Sequence, residues 1–166
     1  YVGLIKVFGN QSTKPSVILH ESLLCPGEVF DTRRIEGTEI RLWNTGFFDC
    51  VNVYAVNSYL EDPCGERLYR DIYIEVEEGD TGNVGLFAGF SSIDRIYGGV
   101  EVSERNFNLA GLARVPSDGM GALRGGGEYA HFKFNVGDRT TSYLYQWTKP
   151  YFMDTNWIVG FDLEKT

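Results

Sequence analysis

The stretch DTRRIEGTEIRLWNTGFFDCVNVYA, residues 31–55, decides the fold of the first half of the chain. Asp31 is a typical N-cap residue, and Gly46 stands where a helix is expected to end. Three residues between them share one helix face: Ile35, Thr38 and Leu42. Beyond the glycine, every second residue is apolar, as in a half-buried strand: Val51, Val53 and Ala55. The stretch therefore predicts a helix that stops at a glycine and leads directly into a strand.

The flanking segments complete a small unit of strands and helices. Residues 1–8, YVGLIKVF, predict a strand that ends at a Gly-Asn turn pair. Thr13 is placed to cap a first helix, which has Pro15 in its first turn and runs to the breaker Cys25-Pro26-Gly27. Residues 68–78, LYRDIYIEVEE, predict a third strand. The order β-α-α-β-β predicts an α+β unit with two helices on one face of a three-stranded sheet.

The second half has a different pattern, in which apolar and polar residues alternate with a period of two from Asn83 onward. Strands are predicted in five segments, near residues 83–90, 96–103, 129–136, 140–148 and 157–164. A membrane barrel needs such an apolar, aromatic-rich face for lipid and a polar face for its lumen, but a soluble sandwich alternates in the same way. The glycine-rich stretch from Ala110 to Gly127 predicts a long loop between the second and third of these strands.

Composition excludes several classes of function. The net charge is −8, and neither half has the basic surface that nucleic acid requires. No stretch approaches the roughly 20 apolar residues of a membrane-spanning helix. Most of the 20 glycines follow residue 78, so two kinds of structure meet near Gly79. Because Tyr1 is not preceded by an initiator Met, we expect the N-terminus to be a cut end.

The reactive side chains form neither a catalytic nor a metal-binding pattern. Cys25, Cys50 and Cys64 have no CxxC spacing, and His20 and His131 do not complete a zinc set. We therefore expect no catalytic residue, no metal and no cofactor. The cysteines are either small unpaired thiols or include a Cys50–Cys64 disulfide if the compartment is oxidising. Their odd number leaves at least one thiol unpaired within the chain.

Residues 9–53 resemble the POTRA domain of BamA-type outer-membrane-protein assembly factors. The resemblance depends on short motifs in order: Gly9-Asn10, Ser16-Val17-Ile18, Pro26-Gly27, Phe30-Asp31, Arg41-Leu42, Thr45-Gly46, Phe48 and Val51. The second half is similar to the start of the same family's barrel, through three further motifs: Gly89-Phe90, Asn106-Phe107 and Pro150-Tyr151-Phe152. Between Ala110 and Gly127 the chain has a longer glycine-rich insert than the family pattern predicts.

The resemblance implies a POTRA domain over residues 1–78, followed over residues 79–166 by the N-terminal antiparallel strands of a truncated transmembrane β-barrel. It implies a protein of the bacterial outer membrane, with the POTRA domain in the periplasm, that assembles and inserts other barrels. The implied partners are unfolded outer-membrane proteins, accessory lipoproteins and outer-membrane lipid. Five strands fall short of the roughly eight that close the smallest membrane barrel, so this piece alone is not expected to act as an insertase.

The implied mechanism is β-augmentation, in which an unpaired strand edge receives a client strand. The predicted client-binding edge is the backbone of the first barrel strand: Asn83, Val84, Gly85, Leu86, Phe87, Ala88, Gly89 and Phe90. Gly82, Gly85 and Gly89 either let this edge open or merely permit curvature. In the POTRA domain, the candidate edges are Leu68 to Val76 and Tyr1 to Phe8.

The POTRA motif residues are expected to be structural: Gly9, Asn10, Arg41, Leu42, Thr45, Gly46, Phe48 and Val51. Phe47 and Phe48 form either a core pair or a contact onto the barrel rim. Two other functions stay open. One is a polypeptide-translocating relative, such as a two-partner secretion pore or a TamA-type factor. The other is a soluble periplasmic binding module, which predicts that residues 79–166 dissolve without detergent.

Overall fold

A computed structural model of the chain describes residues 1–59, 68–92 and 95–166. The chain divides into two compact units, which we call unit 1 (Tyr1–Asp80) and unit 2 (Thr81–Thr166). The predicted boundary between residues 78 and 79 lies close to this division. No helix in the described ranges is both long and apolar enough to cross a membrane.

Unit 1 has the predicted order β-α-α-β-β. Its elements are β1 (Val2–Phe8), α1 (Pro15–Glu21), α2 (Thr32–Asn44), β2 (Phe48–Asn57) and β3 (Arg70–Glu78). The strand order is β1-β3-β2, with β1 parallel and β2 antiparallel to β3. The α+β prediction is therefore confirmed for this half, and the last strand in the sequence is the central one in space.

The core of unit 1 lies between the sheet and the two helices. It contains Val2, Ile18, Leu24, Ile35, Leu42, Phe48, Val51, Val53, Ile72, Ile74 and Val76. These include the apolar residues that helical and strand periodicity assigned to inner faces. Phe48 is buried and its ring meets Phe47 edge-on, with centroids 6.1 Å apart. Phe47 also packs against the core. Of the two alternatives for Phe47 and Phe48, the structure therefore supports the core pair.

The second helix begins and ends where the sequence predicts. The Asp31 carboxylate accepts the Arg33 N–H at 2.9 Å, and this bond holds the pKa of Asp31 below its ordinary value. Beyond the last helical residue, Gly46 adopts a φ of +66°, the left-handed conformation typical of a helix stop.

The first helix differs from its prediction at both ends. Lys14 holds the N-cap position and makes no side-chain cap bond, so the Thr13 cap was wrong. Thr13 is instead buried, with its N–H donated to Glu78. The helix ends at Glu21, ahead of the predicted breaker at Cys25-Pro26-Gly27. Leu24 still reaches the core, but from irregular chain.

The Glu78 carboxylate at the end of β3 ties down the turn before α1. Its Oε1 accepts N–H groups from Gln11 at 3.1 Å, Ser12 at 3.0 Å and Thr13 at 2.6 Å. Burial acts to raise the pKa of Glu78, but the donors on Thr13 and Ser12 outweigh it and leave the pKa below 4.5. The carboxylate therefore supplies acceptors that the turn lacks locally.

Glu78→Ala should destabilise unit 1 by about 1–3 kcal/mol, because the partly buried Thr13 N–H and two exposed N–H groups lose their charged acceptor. Since folding lowers the pKa of Glu78, its contribution is present above its ordinary pKa and is lost as the pH falls through the lower folded-state value. Urea unfolding of the wild type and variant at several pH values would test this. Equal stabilities near neutral pH would contradict it, and Glu77→Ala, at an exposed position of the same strand, is the control.

The described residues of unit 2 form the five predicted antiparallel strands, and the structure pairs them in sequential order. They are β4 (Gly82–Ser91), β5 (Arg95–Phe107), β6 (Glu128–Gly137), β7 (Thr141–Lys149) and β8 (Val159–Lys165). The final strand begins later than expected and leaves Trp157 outside it. The predicted long loop is also more ordered than expected, because it forms short helical segments at Leu109–Arg114, α3 (Val115–Asp118) and Met120–Leu123.

The strand register sorts the side chains of unit 2 onto two faces. One row across all five strands reads Val84, Val102, Phe132, Tyr145 and Leu163. The neighbouring row, on the opposite face, reads Asn83, Ser103, His131, Gln146 and Asp162. Among the described residues of unit 2, Trp147 is the one buried large hydrophobic residue, and no second sheet covers the apolar face. Unit 2 is therefore a single layer with an exposed apolar surface.

One predicted alternative concerns a residue outside the described ranges. That residue is Cys64, so the alternative of a Cys50–Cys64 disulfide has no structural test. Of the other cysteines, Cys25 and Cys50 are both exposed.

Candidate strand-edge sites

The predicted client-binding residues all lie in β4, the first strand of the unit 2 sheet. Every residue from Gly82 to Ser91 pairs with β5 on one side, and no described strand pairs with the other side. Alternate backbone N–H and C=O groups of an antiparallel strand point to each neighbour, so half of those of β4 face outward. Val84, Leu86 and Phe90 are 71%, 84% and 83% exposed. The strand thus combines a backbone edge with an apolar face.

The glycines of β4 have different surroundings. At Gly89, a Cβ would lie 2.7 Å from the Tyr97 hydroxyl, so the missing side chain lets that ring cover the strand. At Gly85, a Cβ would meet nothing closer than 3.9 Å. Packing therefore explains Gly89 but not Gly85. The idea that glycines let the edge open stays a prediction.

The polar face of unit 2 contains a group of side-chain contacts on the strands next to β4. His131 lies 2.9 Å from a Glu101 carboxylate oxygen and 3.1 Å from the Gln146 side-chain oxygen. The Lys133 ammonium sits over the Phe87 ring, 5.1 Å from its centroid. His131 thus lies in a polar row, as predicted, and its contacts link β5, β6 and β7.

Unit 1 has two edge strands among its described residues, and one of them, β1, lies in a predicted candidate edge. Leu68 to Val76 cannot be a free edge, because β3 pairs with β1 on one side and β2 on the other. Tyr1 to Phe8 contains the edge strand β1, but Val2 exchanges backbone bonds with Gly27 and Glu28 at 2.8 and 2.9 Å. The predicted strand β2, which was not among the candidate edges, has no described strand on its outer side. Sequence pattern identifies strands but not their order in the sheet, which explains the miss.

Beside the β2 edge, the outer face of the unit 1 sheet carries stacked aromatic rings. Tyr54 of β2 stacks on Tyr73 at 5.5 Å between centroids, and Phe8 stacks on Tyr73 from the other side at 5.6 Å. The Tyr54 hydroxyl donates to Glu75 at 2.6 Å, and this bond raises the pKa of Tyr54. The edge is therefore flanked by an apolar surface with a polar rim.

The POTRA motif residues make structural contacts. A Cβ on Gly9 would lie 1.9 Å from the Val76 carbonyl oxygen, and Leu42 is fully buried. Asn10 donates to the Thr13 carbonyl at 2.8 Å. Arg41 forms an ion pair with Glu21 at 3.0 Å, and Thr45 caps the end of α2 by donating to the Leu42 carbonyl at 2.7 Å. No group of three potential metal ligands occurs among the described residues.

Comparison with known proteins matches this architecture. The POTRA family model, described as a surface antigen variable number repeat, matches residues 1–79. The BamA crystal structure from Haemophilus ducreyi, lacking POTRA domains 1–3, superposes with a TM-score of 0.74 over 99% of this chain and 27% of that one. Residues 1–79 are therefore similar to a POTRA domain. At 21% identity, that superposition establishes the fold alone.

Three curated proteins are similar to this chain in sequence over a small part of their own length. The outer membrane protein assembly factor BamA of Nitratidesulfovibrio vulgaris is 25% identical over 98% of this chain. That of Neorickettsia risticii is 29% identical over 61%, and a putative outer membrane protein assembly factor of Treponema pallidum is 34% identical over 56%. The chain spans only 18%, 13% and 10% of these three proteins, respectively.

Proposed function

We propose that this chain is the client-receiving part of an outer-membrane-protein assembly factor. In this proposal, unit 1 lies in the periplasm and unit 2 contributes the first strands of a barrel in the outer membrane. Unfolded outer-membrane proteins are the clients, accessory lipoproteins and lipid are the other partners, and no bond-making catalysis is involved. The observation that carries the proposal is the exposed edge of β4 beside an exposed apolar face.

The β4 edge can act by completing the hydrogen bonds of an incoming strand. An unfolded client strand in a membrane has backbone groups whose desolvation costs several kcal/mol each if they stay unpaired. Pairing with β4 satisfies those groups, and the client's apolar side chains then extend the apolar sheet face that includes Val84 and Leu86. Unit 1 can hold an extended client beforehand at the β2 edge, where Tyr54 flanks the backbone groups.

Site-specific crosslinking in cells that depend on the full-length protein would test this function. A photoreactive residue at Val84 or Leu86 in β4 should crosslink to a stalled client strand. The same residue at Phe132 or Phe134 should crosslink far less, because β6 has strands on both sides. Crosslinking at all four positions alike would contradict edge pairing, since these side chains share one face.

A matched pair of variants would test the unit 1 edge. Ala55 lies on β2 and its N–H points away from β3, because Ser58 donates directly across the ladder to Tyr69 and every second residue faces the other side. Ala55→Pro therefore removes one outward N–H of the candidate edge strand. Val7→Pro changes β1 instead. Loss of client crosslinking only with Ala55→Pro supports capture at β2, provided that circular dichroism shows both variants folded.

A further inference from the structure

Two chain connections leave the unit 2 sheet at the same end. Residues 108–127 join β5 to β6, and residues 150–158 join β7 to β8. Because the strands are antiparallel and sequential, both connections lie at the end where β4 begins, directly after unit 1. At the opposite end, β6 and β7 are joined by the short polar turn of residues 138–140.

Both connections expose large apolar side chains. In the first, Leu112 is 59% and Met120 72% exposed. In the second, Met153, Trp157 and Ile158 are 78%, 72% and 71% exposed. A soluble surface rarely exposes this many large apolar side chains at one end of a sheet, and such a concentration indicates a contact with an apolar partner.

The first connection is held in place by buried polar contacts. Glu128 is 1% exposed and accepts the Leu109 N–H at 2.7 Å, the Trp147 indole N–H at 3.0 Å and a Lys149 ammonium proton at 3.0 Å. Asn108 is also buried, and its amide donates to the Ala122 carbonyl at 3.1 Å. These contacts fix the helical segments, so the apolar side chains they carry are presented on a preformed support.

Charge favours a lipid surface over a charged partner. Around the first connection, Arg105, Arg114 and Arg124 balance Glu104, Asp118 and Glu128. This end of unit 2 therefore carries no net charge, although the whole chain carries −8. An electrically balanced surface is not repelled by the anionic headgroups that would repel the rest of an acidic chain.

We propose that these two connections form an apolar foot that lies in the headgroup–acyl boundary of the periplasmic phospholipid leaflet. Leucine, methionine, isoleucine and tryptophan suit this boundary, where apolar side chains enter the acyl region and the indole N–H stays near water. The apolar sheet face reaches this end of unit 2, because Trp147 and Phe161 lie two residues from the second connection on β7 and β8 and their rings are 5.5 Å apart. The foot would set how deeply the first residues of β4 lie in the membrane. The inference rests on the proposed function, because it needs unit 2 to be in a bilayer.

Spin-label accessibility in the full-length protein would test the foot. All native cysteines of the full-length protein, including Cys25, Cys50 and Cys64, are replaced by serine, and single labels are placed at Leu112, Met120, Leu86 or Asp138. The protein is reconstituted into phosphatidylethanolamine and phosphatidylglycerol vesicles. Labels at Leu112 and Met120 should collide more with oxygen, which concentrates in the bilayer, than with a water-soluble nickel complex. Leu86 reports the lipid-facing strands, and Asp138 reports the aqueous end of the sheet.

Each outcome separates the foot from the proposed function. If Leu86 reports lipid while Leu112 and Met120 report water, the foot is overturned and the membrane assignment stands. If labels at Leu112 and Met120 are shielded from both reagents, protein covers the site instead of lipid, which also overturns the foot. If Leu86 itself reports water, the proposed membrane location fails, and the foot fails with it.

Discussion

Gly9→Ala is expected to unfold unit 1 or to destabilise it by about 4 kcal/mol or more. Gly9 has a φ of +85°, and a Cβ built there lies 1.9 Å from the carbonyl oxygen of Val76 in β3. That oxygen belongs to the central strand and cannot move without breaking the sheet. Denaturant unfolding followed by circular dichroism measures the loss.

The chain supplies a matched control for this prediction. Gly27 has a nearly identical φ of +86°, but a Cβ there meets nothing within 4 Å. Gly27→Ala should therefore cost only the left-handed backbone strain, about 1–2 kcal/mol. If the two variants lose equal stability, the close approach of Gly9 to β3 is not what requires glycine.

Glu128→Leu is expected to destabilise unit 2 in the full-length protein by about 3–5 kcal/mol. The leucine has a similar size but leaves the Lys149 ammonium, the Trp147 indole N–H and the Leu109 N–H without their acceptor. The buried Trp147 indole N–H would lose its acceptor and stay desolvated, and the half-buried Lys149 ammonium would lose its charge partner. The temperature at which the protein in detergent loses its compact electrophoretic mobility measures the effect.

Two further variants separate charge from packing at Glu128. Glu128→Gln keeps one acceptor oxygen and should lose about half as much stability or less. Adding Lys149→Met to Glu128→Leu removes the unpaired ammonium and should recover part of the loss. If the double variant is no more stable than Glu128→Leu, the unpaired Lys149 ammonium is not a cause of the lost stability.

Local patterns in the sequence determined most of the secondary structure. The α2 cap at Asp31, its stop at Gly46 and the inward residues of β2 all depend on neighbours within a few positions, so their spacing predicts them. The five strands of unit 2 followed from a period of two for the same reason. The Thr13 cap failed because a carboxylate distant in sequence, Glu78, takes the N–H groups of that turn. Short-range rules do not include such a competitor.

Strand order and burial were decided only by tertiary structure. The pattern of apolar residues identified three strands in unit 1, but pairing across the sheet made β3 central and left β2 as an edge. In the stretch of residues 108–127, glycines indicated a loop, whereas contacts with the buried Glu128 and Asn108 fold it into helical segments. Sequence alone determined which residues alternate, because periodicity is local. Which edge is open and which carboxylate is buried depend on contacts between residues far apart in the chain, so only the folded structure decides them.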